Sequence, residues 1–247
     1  MKKSNPIILI HGFPLDSSMW KNQIYFLKEK YQIYALDLLG FGENKENTPA
    51  KIEDFAEQIK TFLDKNSSKE AILCGFSMGG YITFAFYEMF PNNVSALIFV
   101  DTRAASDSEE AKKNRNFALD LLEKEGTNYF VKNMPQKLMC ELNLKNEALL
   151  NEVKQIISRQ KKESLKNALI AMRDRKERKY LLKNIKVKTL FICGEFDTLS
   201  PPDEMRSLSE MVEGSEFEIV RKSGHLSPME NPNGFNKILD NFLIKLN

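Results

Sequence analysis

The sequence predicts an α/β fold: a mostly parallel sheet of about six strands, flanked by helices and interrupted by one helical insertion. Three observations carry this reading. Short apolar runs alternate with amphipathic helical stretches, the alternation fails once over a long internal segment, and one strand-to-helix junction carries the pentapeptide Gly75-Phe76-Ser77-Met78-Gly79.

The elements follow in order. An apolar run over 6–11 reads as the first strand and closes at His11-Gly12, and a helical pattern spans 19–29. A second strand is expected over 32–37, followed by a helix over 52–64 in which Phe55, Ile59, Phe62 and Leu63 recur at three- and four-residue spacing. The run 71–75 is a third strand, 79–89 a helix and 94–100 a fourth strand. From Asp101 to Lys186 no strand pattern appears, only helical windows at Ala111–Lys124, Ala148–Ser158 and Leu165–Met172. Strands at 187–193 and 216–220 and helices at 203–212 and 232–245 then resume the alternation. Strands alternating with helices imply a parallel sheet covered on both faces. The expected organisation is a core of 1–100 and 187–247 carrying a helical lid of 101–186, without repeat, low-complexity tract or linker.

Composition narrows the function classes. A chain of 247 residues that is 42% hydrophobic supports one domain with a sizeable core. The formal charge of +2 offers no overall field for nucleic acid or membrane surfaces. The run Pro6-Ile7-Ile8-Leu9-Ile10 is too short for a signal-peptide core or a membrane span. Cys74, Cys140 and Cys193 form no CxxC pair, the usage of reduced thiols, so a cytoplasmic location is expected. With only His11 and His225 present, a histidine-rich metal site is excluded, and neither metal nor organic cofactor is expected.

The pentapeptide supplies the chemistry. Ser77 sits between an apolar strand and a helix, on a sharp turn that needs small residues two positions either side, which Gly75 and Gly79 provide. Serine is a poor nucleophile at neutral pH and needs an adjacent base, itself oriented by a third group. His225 follows the last strand and is the leading base; Asp197 follows the strand 187–193 and is the leading acid, with Asp101 and Glu195 as alternatives. The backbone N–H of Met78 at the helix start, and that of Phe13 in the loop after the first strand, are candidate oxyanion donors, whereas Pro14 has no N–H. His11 is read as a structural hydrogen-bonding residue.

With these residues assembled, the chain resembles the α/β-hydrolase superfamily, in particular small lidded carboxylesterases, enol-lactonases and cofactor-free haloperoxidase-like members. The resemblance rests on HGFP at His11–Pro14, DLLGFGEN at Asp37–Asn44, GFSMGG at Gly75–Gly80, FPNNVSALIFVDT at Phe90–Thr102, GEFDTLSPP at Gly194–Pro202 and SGHLSPMENP at Ser223–Pro232. It implies an α/β-hydrolase fold with the lid inserted after the fourth matched strand. It also implies a triad of Ser77, Asp197 and His225, an oxyanion hole from the backbones of Phe13 and Met78, and a 37–42 loop that shapes the floor of the site. Many members carry an antiparallel hairpin before the HG strand; with about five residues preceding it here, six parallel strands without that hairpin are expected. In the family's strand order Cys74 and Cys193 lie on strands one apart and should not form a disulfide.

The expected reaction is hydrolysis of a small or medium apolar acyl ester through an acyl-enzyme. Met19, Trp20, Phe76, Phe117, Phe130 and Met134 are the candidate pocket residues. A lactone, a thioester, a carbon–carbon bond or a methyl ester on an acyl carrier protein would suit the same triad. The carrier is acidic, and residues 159–188 hold twelve Lys or Arg against three Asp or Glu, so this basic lid stretch reads as a solvated helical surface or, as the alternative, a docking patch tested through Arg173, Arg175 and Arg178. The alternative of another class is a non-catalytic small-molecule receptor or signalling protein on the same fold.

Overall fold

The computed structural model describes residues 5–246. Within them the elements run β1 Ile7–Ile10, α1 Lys21–Leu27, β2 Ile33–Leu36, α2 Ile52–Lys65, β3 Ala71–Phe76, α3 Met78–Met89 and β4 Val94–Val100. Six helices follow: α4 Glu109–Glu125, α5 Asn128–Asn133, α6 Pro135–Leu138, α7 Glu141–Leu144, α8 Glu147–Ser158 and α9 Lys162–Arg173. The core resumes with β5 Lys188–Gly194, α10 Pro202–Glu210, β6 Glu216–Val220, α11 Ser227–Glu230 and α12 Pro232–Ile244.

The strands form one sheet in the order β2-β1-β3-β4-β5-β6, and every pairing is parallel. The interior strands β1 and β3 are buried along their whole length, which is why they read as unbroken apolar runs rather than alternating ones. The edge strand β6 instead carries Glu216 and Glu218, charges that blunt an exposed edge. α3 is apolar on nearly all faces and is buried almost throughout, whereas α2 turns Ile52, Phe55, Ile59 and Leu63 inward and its polar face out.

The strand order reverses direction between β1 and β3, which are hydrogen-bonded neighbours with Ile10 opposite Gly75. In open parallel sheets the crevice beyond the carboxyl ends of the strands at such a reversal is where ligands bind. Here that position brings the loop after β1 beside Ser77.

Residues 101–187 contain no strand, as the failed alternation predicts, and the three expected helical windows lie within α4, α8 and α9. The short α5, α6 and α7 escape sequence reading. Each has six residues or fewer, and Pro135 starts a new helix between two of them, so no window is long enough to show periodicity. The three cysteines are free and buried, with β4 lying between Cys74 on β3 and Cys193 on β5. The expectation about a hairpin preceding β1 concerns residues 1–4, which lie outside the described residues. Among the described residues no helix is long and apolar enough to cross a membrane.

Candidate active site

Ser77 ends β3 and starts α3 with φ +51° and ψ −111°, a left-handed backbone that a non-glycine residue adopts only under constraint. The constraint is visible. Its N–H donates to Val100 O on β4 (2.9 Å), and its carbonyl accepts from Thr102 Oγ1 (2.7 Å). A Cβ on Gly75 would collide with the Gly79 carbonyl, and one on Gly79 with the Ile10 carbonyl, so the turn can close only with glycine on both sides.

The turn aims Ser77 Oγ at His225 Nε2, 2.9 Å away, and His225 Nδ1 lies 2.8 Å from Asp197 Oδ2. A carboxylate only accepts, so Nδ1 carries the proton and Nε2 is left to accept from the serine hydroxyl. His225 and Asp197 are buried, at 4% and 3% exposure. Asp197 is held from two further directions. Its Oδ1 accepts from the backbones of Leu199 (2.7 Å) and Ser200 (3.1 Å), and its Oδ2 from Ser200 Oγ (2.6 Å). Burial penalises its charge, but the adjoining His225 ring and these hydrogen bonds outweigh that penalty and keep the carboxyl below its ordinary value.

The alternative acids are engaged elsewhere. Glu195 pairs with Arg221 (2.9 Å) and accepts from Lys222 N (2.9 Å). Asp101, buried at the end of β4 with φ +45°, accepts from Gly194 N (2.7 Å) and Ser227 Oγ (2.5 Å). Burial and the nearby Asp197 charge push its carboxyl well above the ordinary range, against those two hydrogen bonds. Asp101 thus ties the ends of β4 and β5 to the His225 loop. Asp101, Cys193 and Asp197 bring one ligand atom each within 4.8 Å of one another. The oxygens of both carboxyls are already held by protein donors, and burial drives the Cys193 thiol far up, so the trio is poorly suited to a cation.

The N–H groups of Phe13 and Met78 donate to no protein acceptor among the described residues, although both residues are buried. Unused buried backbone donors at a strand end and a helix start are free for an incoming anionic oxygen. His11 donates from Nδ1 to Gly12 O (3.0 Å) and accepts at Nε2 from Leu38 N (3.1 Å). Fully buried, with its pKa lowered by that burial, it braces the β1 loop as a neutral ring.

A cavity of about 820 Å³ opens over Ser77 and His225. Of the expected pocket residues, Phe117, Phe130 and Met134 line it, as does Phe13, whose ring meets that of Phe130 edge-on at 5.4 Å. Trp20 and Phe76 do not. Phe76 packs its ring 5.2 Å from that of His225, and Trp20 lies edge-on behind Phe76 at 6.4 Å, so both support the imidazole from the core. Met19 is likewise core. The 37–42 loop does not line the cavity either. Asp37 accepts from Ser17 N and Glu43 N (2.8 Å each), so the loop supports the β1 loop from behind.

The insertion is tied down by charge. Asp16, just past the β1 loop, pairs with Arg159 Nε and Nη2 (2.6 Å each) and accepts from Gln160 (2.7 Å). Arg178 reaches Glu53 on α2 (2.6 Å) and Glu88 on α3 (3.0 Å), and Arg175 pairs with Asp107. Arg175 and Arg178 are therefore buried, and the basic stretch presents fewer free charges than its composition suggests.

Sequence reading missed three supporting residues. Ser200 follows Asp197 by three positions, the spacing of a local side-chain turn, and was legible. Ser227 and Glu230 were not: Glu230 accepts from Gly224 N (2.8 Å), Leu226 N (3.2 Å) and Cys140 N (2.8 Å), joining the His225 loop to the α6–α7 junction.

A family model described as alpha/beta hydrolase fold matches residues 5–232. A malate-bound thermophilic esterase from Thermogutta terrifontis superposes with a TM-score of 0.95 at 33% identity, over 99% of this chain and 91% of that one. The 3-oxoadipate enol-lactonase 1 of Acinetobacter baylyi is 25% identical over 96% of this chain and 88% of its own length. A pimeloyl-[acyl-carrier protein] methyl ester esterase of Wigglesworthia glossinidia brevipalpis is 27% identical over 98% and 94%.

Proposed function

The chain belongs to the alpha/beta hydrolase fold family, and from that premise we propose that it is a serine hydrolase cleaving a carboxylic ester through an acyl-enzyme. The observation that carries the reading is the unbroken relay from Ser77 Oγ through His225 to Asp197, each step 2.9 Å or shorter.

In this reading His225 Nε2 takes the proton of Ser77 as Oγ attacks the ester carbonyl. The oxygen that becomes negative is received by the N–H groups of Phe13 and Met78, which need no reorganisation because nothing else occupies them. The imidazolium is stabilised by Asp197, whose carboxyl stays ionised under its four hydrogen bonds. Collapse expels the alcohol, which leaves with the proton from His225. Water then enters, gives a proton to Nε2, attacks the acyl carbon and releases the acid and Ser77.

The Thermogutta esterase supports an ester substrate, and the Acinetobacter enol-lactonase supports a cyclic one, since ring opening follows the same steps with the leaving oxygen still attached. The Wigglesworthia relative supports a carrier-bound ester, but two of the three arginines that would dock a carrier are buried in ion pairs.

The test is a panel of p-nitrophenyl esters from acetate to octanoate, with simple lactones, on wild type and Ser77→Ala. Turnover abolished by the substitution is expected. No serine-dependent turnover on any of them, together with tight binding of a small ligand, would replace the hydrolase by a receptor.

A further inference from the structure

We propose that the substrate carries a carboxylate on the part remote from the scissile carbonyl, and that Arg115 receives it, with Arg103 and Lys137 making the same wall positive. This deepens the ester-hydrolase reading and rests on it.

The cavity has two kinds of lining. Phe13, Phe130, Met134, Leu138, Leu169 and Met172 form an apolar part. Arg103, Asp107, Glu110, Arg115, Lys137 and Arg175 form a charged one, with four cations against two carboxylates. Asp101 also lines the cavity, but its carboxyl is committed to Gly194 N and Ser227 Oγ.

The pairing within the charged part is unequal. Asp107 gives one oxygen to Arg175 Nη1 and the other to Arg115 Nε (3.1 Å), so one carboxylate serves two guanidiniums. Arg175 is also held by bonds from Nη1 to Met172 O (2.8 Å) and from Nε to Ala105 O (3.0 Å), is buried, and stacks 4.1 Å from the centre of the Tyr81 ring. Its role is structural. Arg115 differs, because among the described residues its Nη1 and Nη2 have no protein acceptor, while its side chain is only 26% exposed. A guanidinium anchored at Nε presents its outer nitrogens as a fixed fork that fits a carboxylate through two parallel bonds.

Two more cations have unused donors. Arg103 gives Nη2 to Glu204 (3.0 Å), but its Nε is buried without a partner. Lys137 has no ion pair among the described residues. Glu110 is the one free carboxylate against them, and it is exposed. A wholly apolar ester would fill the Phe13–Phe130 side and leave this positive surplus unused. A half-ester of a dicarboxylic acid uses both parts.

The test compares monomethyl adipate with methyl hexanoate, which share a chain length and an ester and differ in the terminal carboxylate. Methanol release gives kcat/KM for each, at low and raised salt, in wild type, Arg115→Gln, Arg115→Lys and the exposed control Lys186→Gln. Wild type is expected to prefer the half-ester by at least about tenfold, less at raised salt. Arg115→Gln should lower that preference about tenfold through KM, Arg115→Lys by less, and Lys186→Gln not at all. Adipate should inhibit p-nitrophenyl acetate hydrolysis competitively in wild type and weakly in Arg115→Gln. A wild-type ratio at or below one, or a preference unmoved by Arg115→Gln, overturns the proposal. Failure of the hydrolase reading looks different: no ester, charged or neutral, is turned over in a Ser77-dependent way.

Discussion

The two sides of the cavity are built by different means. On the sheet side, Ser77, Asp197 and His225 sit at strand ends where backbone hydrogen bonds, a left-handed turn and glycine clearances determine position. On the insertion side, residues 101–186 are held by side-chain ion pairs: Asp16 with Arg159, Asp107 with Arg115 and Arg175, and Glu53 and Glu88 with Arg178. The first construction leaves little freedom at the reacting atoms. The second leaves the Ser77–His225–Asp197 relay independent of the ion pairs around the insertion side of the cavity.

The largest expected effects are on the sheet side. Ser77→Ala should lower kcat by about 10⁶-fold with no loss of melting temperature, measured by p-nitrophenyl ester hydrolysis and a circular-dichroism melt. Asp197→Asn should cost about 10⁴-fold, because an amide in place of the carboxylate favours the wrong imidazole tautomer and leaves the imidazolium unpaired. A loss below about tenfold would move the orienting role to another group, and Asp101 is the neighbour placed to take it.

The same contrast explains what sequence could show. The strands and the residues at their ends are legible because short apolar runs end at turns, and the triad candidates follow β3, β5 and β6. Side-chain destination is harder. Phe76 and Phe117 are equally apolar in sequence, yet Phe76, one residue before Ser77 in the strand, supports His225 from the core, while Phe117 on α4 lines the cavity at 61% exposure. The run 159–188 reads as a solvated or docking surface because its charges are counted within a window. The partners of Arg175 and Arg178 lie 68 to 125 residues away.

On the insertion side the expected effects are smaller and concern stability. Burial opposes the charge of Asp16, but hydrogen bonds from Arg159, Ser18 and Gln160 win and bring its pKa down to about 2 from 3.8. A carboxyl depressed by folding stabilises above its unfolded value, and that contribution disappears as pH falls through the folded one. Asp16→Asn should therefore lower the melting temperature at pH 7 by about 2–4 °C, and the gap should close between about pH 4 and pH 2. A gap constant over that range would remove the ion pair from the account.

The smallest expected effect returns to the sheet side. If Asp101 is neutral, Asp101→Asn changes no charge beside Asp197, and kcat should stay within about threefold with the acidic limb of the pH–rate profile in place. A limb displaced to lower pH would show that Asp101 is ionised in the working enzyme.

Covalent labelling asks whether Ser77 is the nucleophile. Intact-protein mass spectrometry after treatment with a fluorophosphonate, followed by peptide mapping, should find one adduct per chain on Ser77, formed far more slowly in Asp197→Asn and absent in Ser77→Ala. No adduct, or one on another residue with ester turnover surviving in Ser77→Ala, would contradict the account.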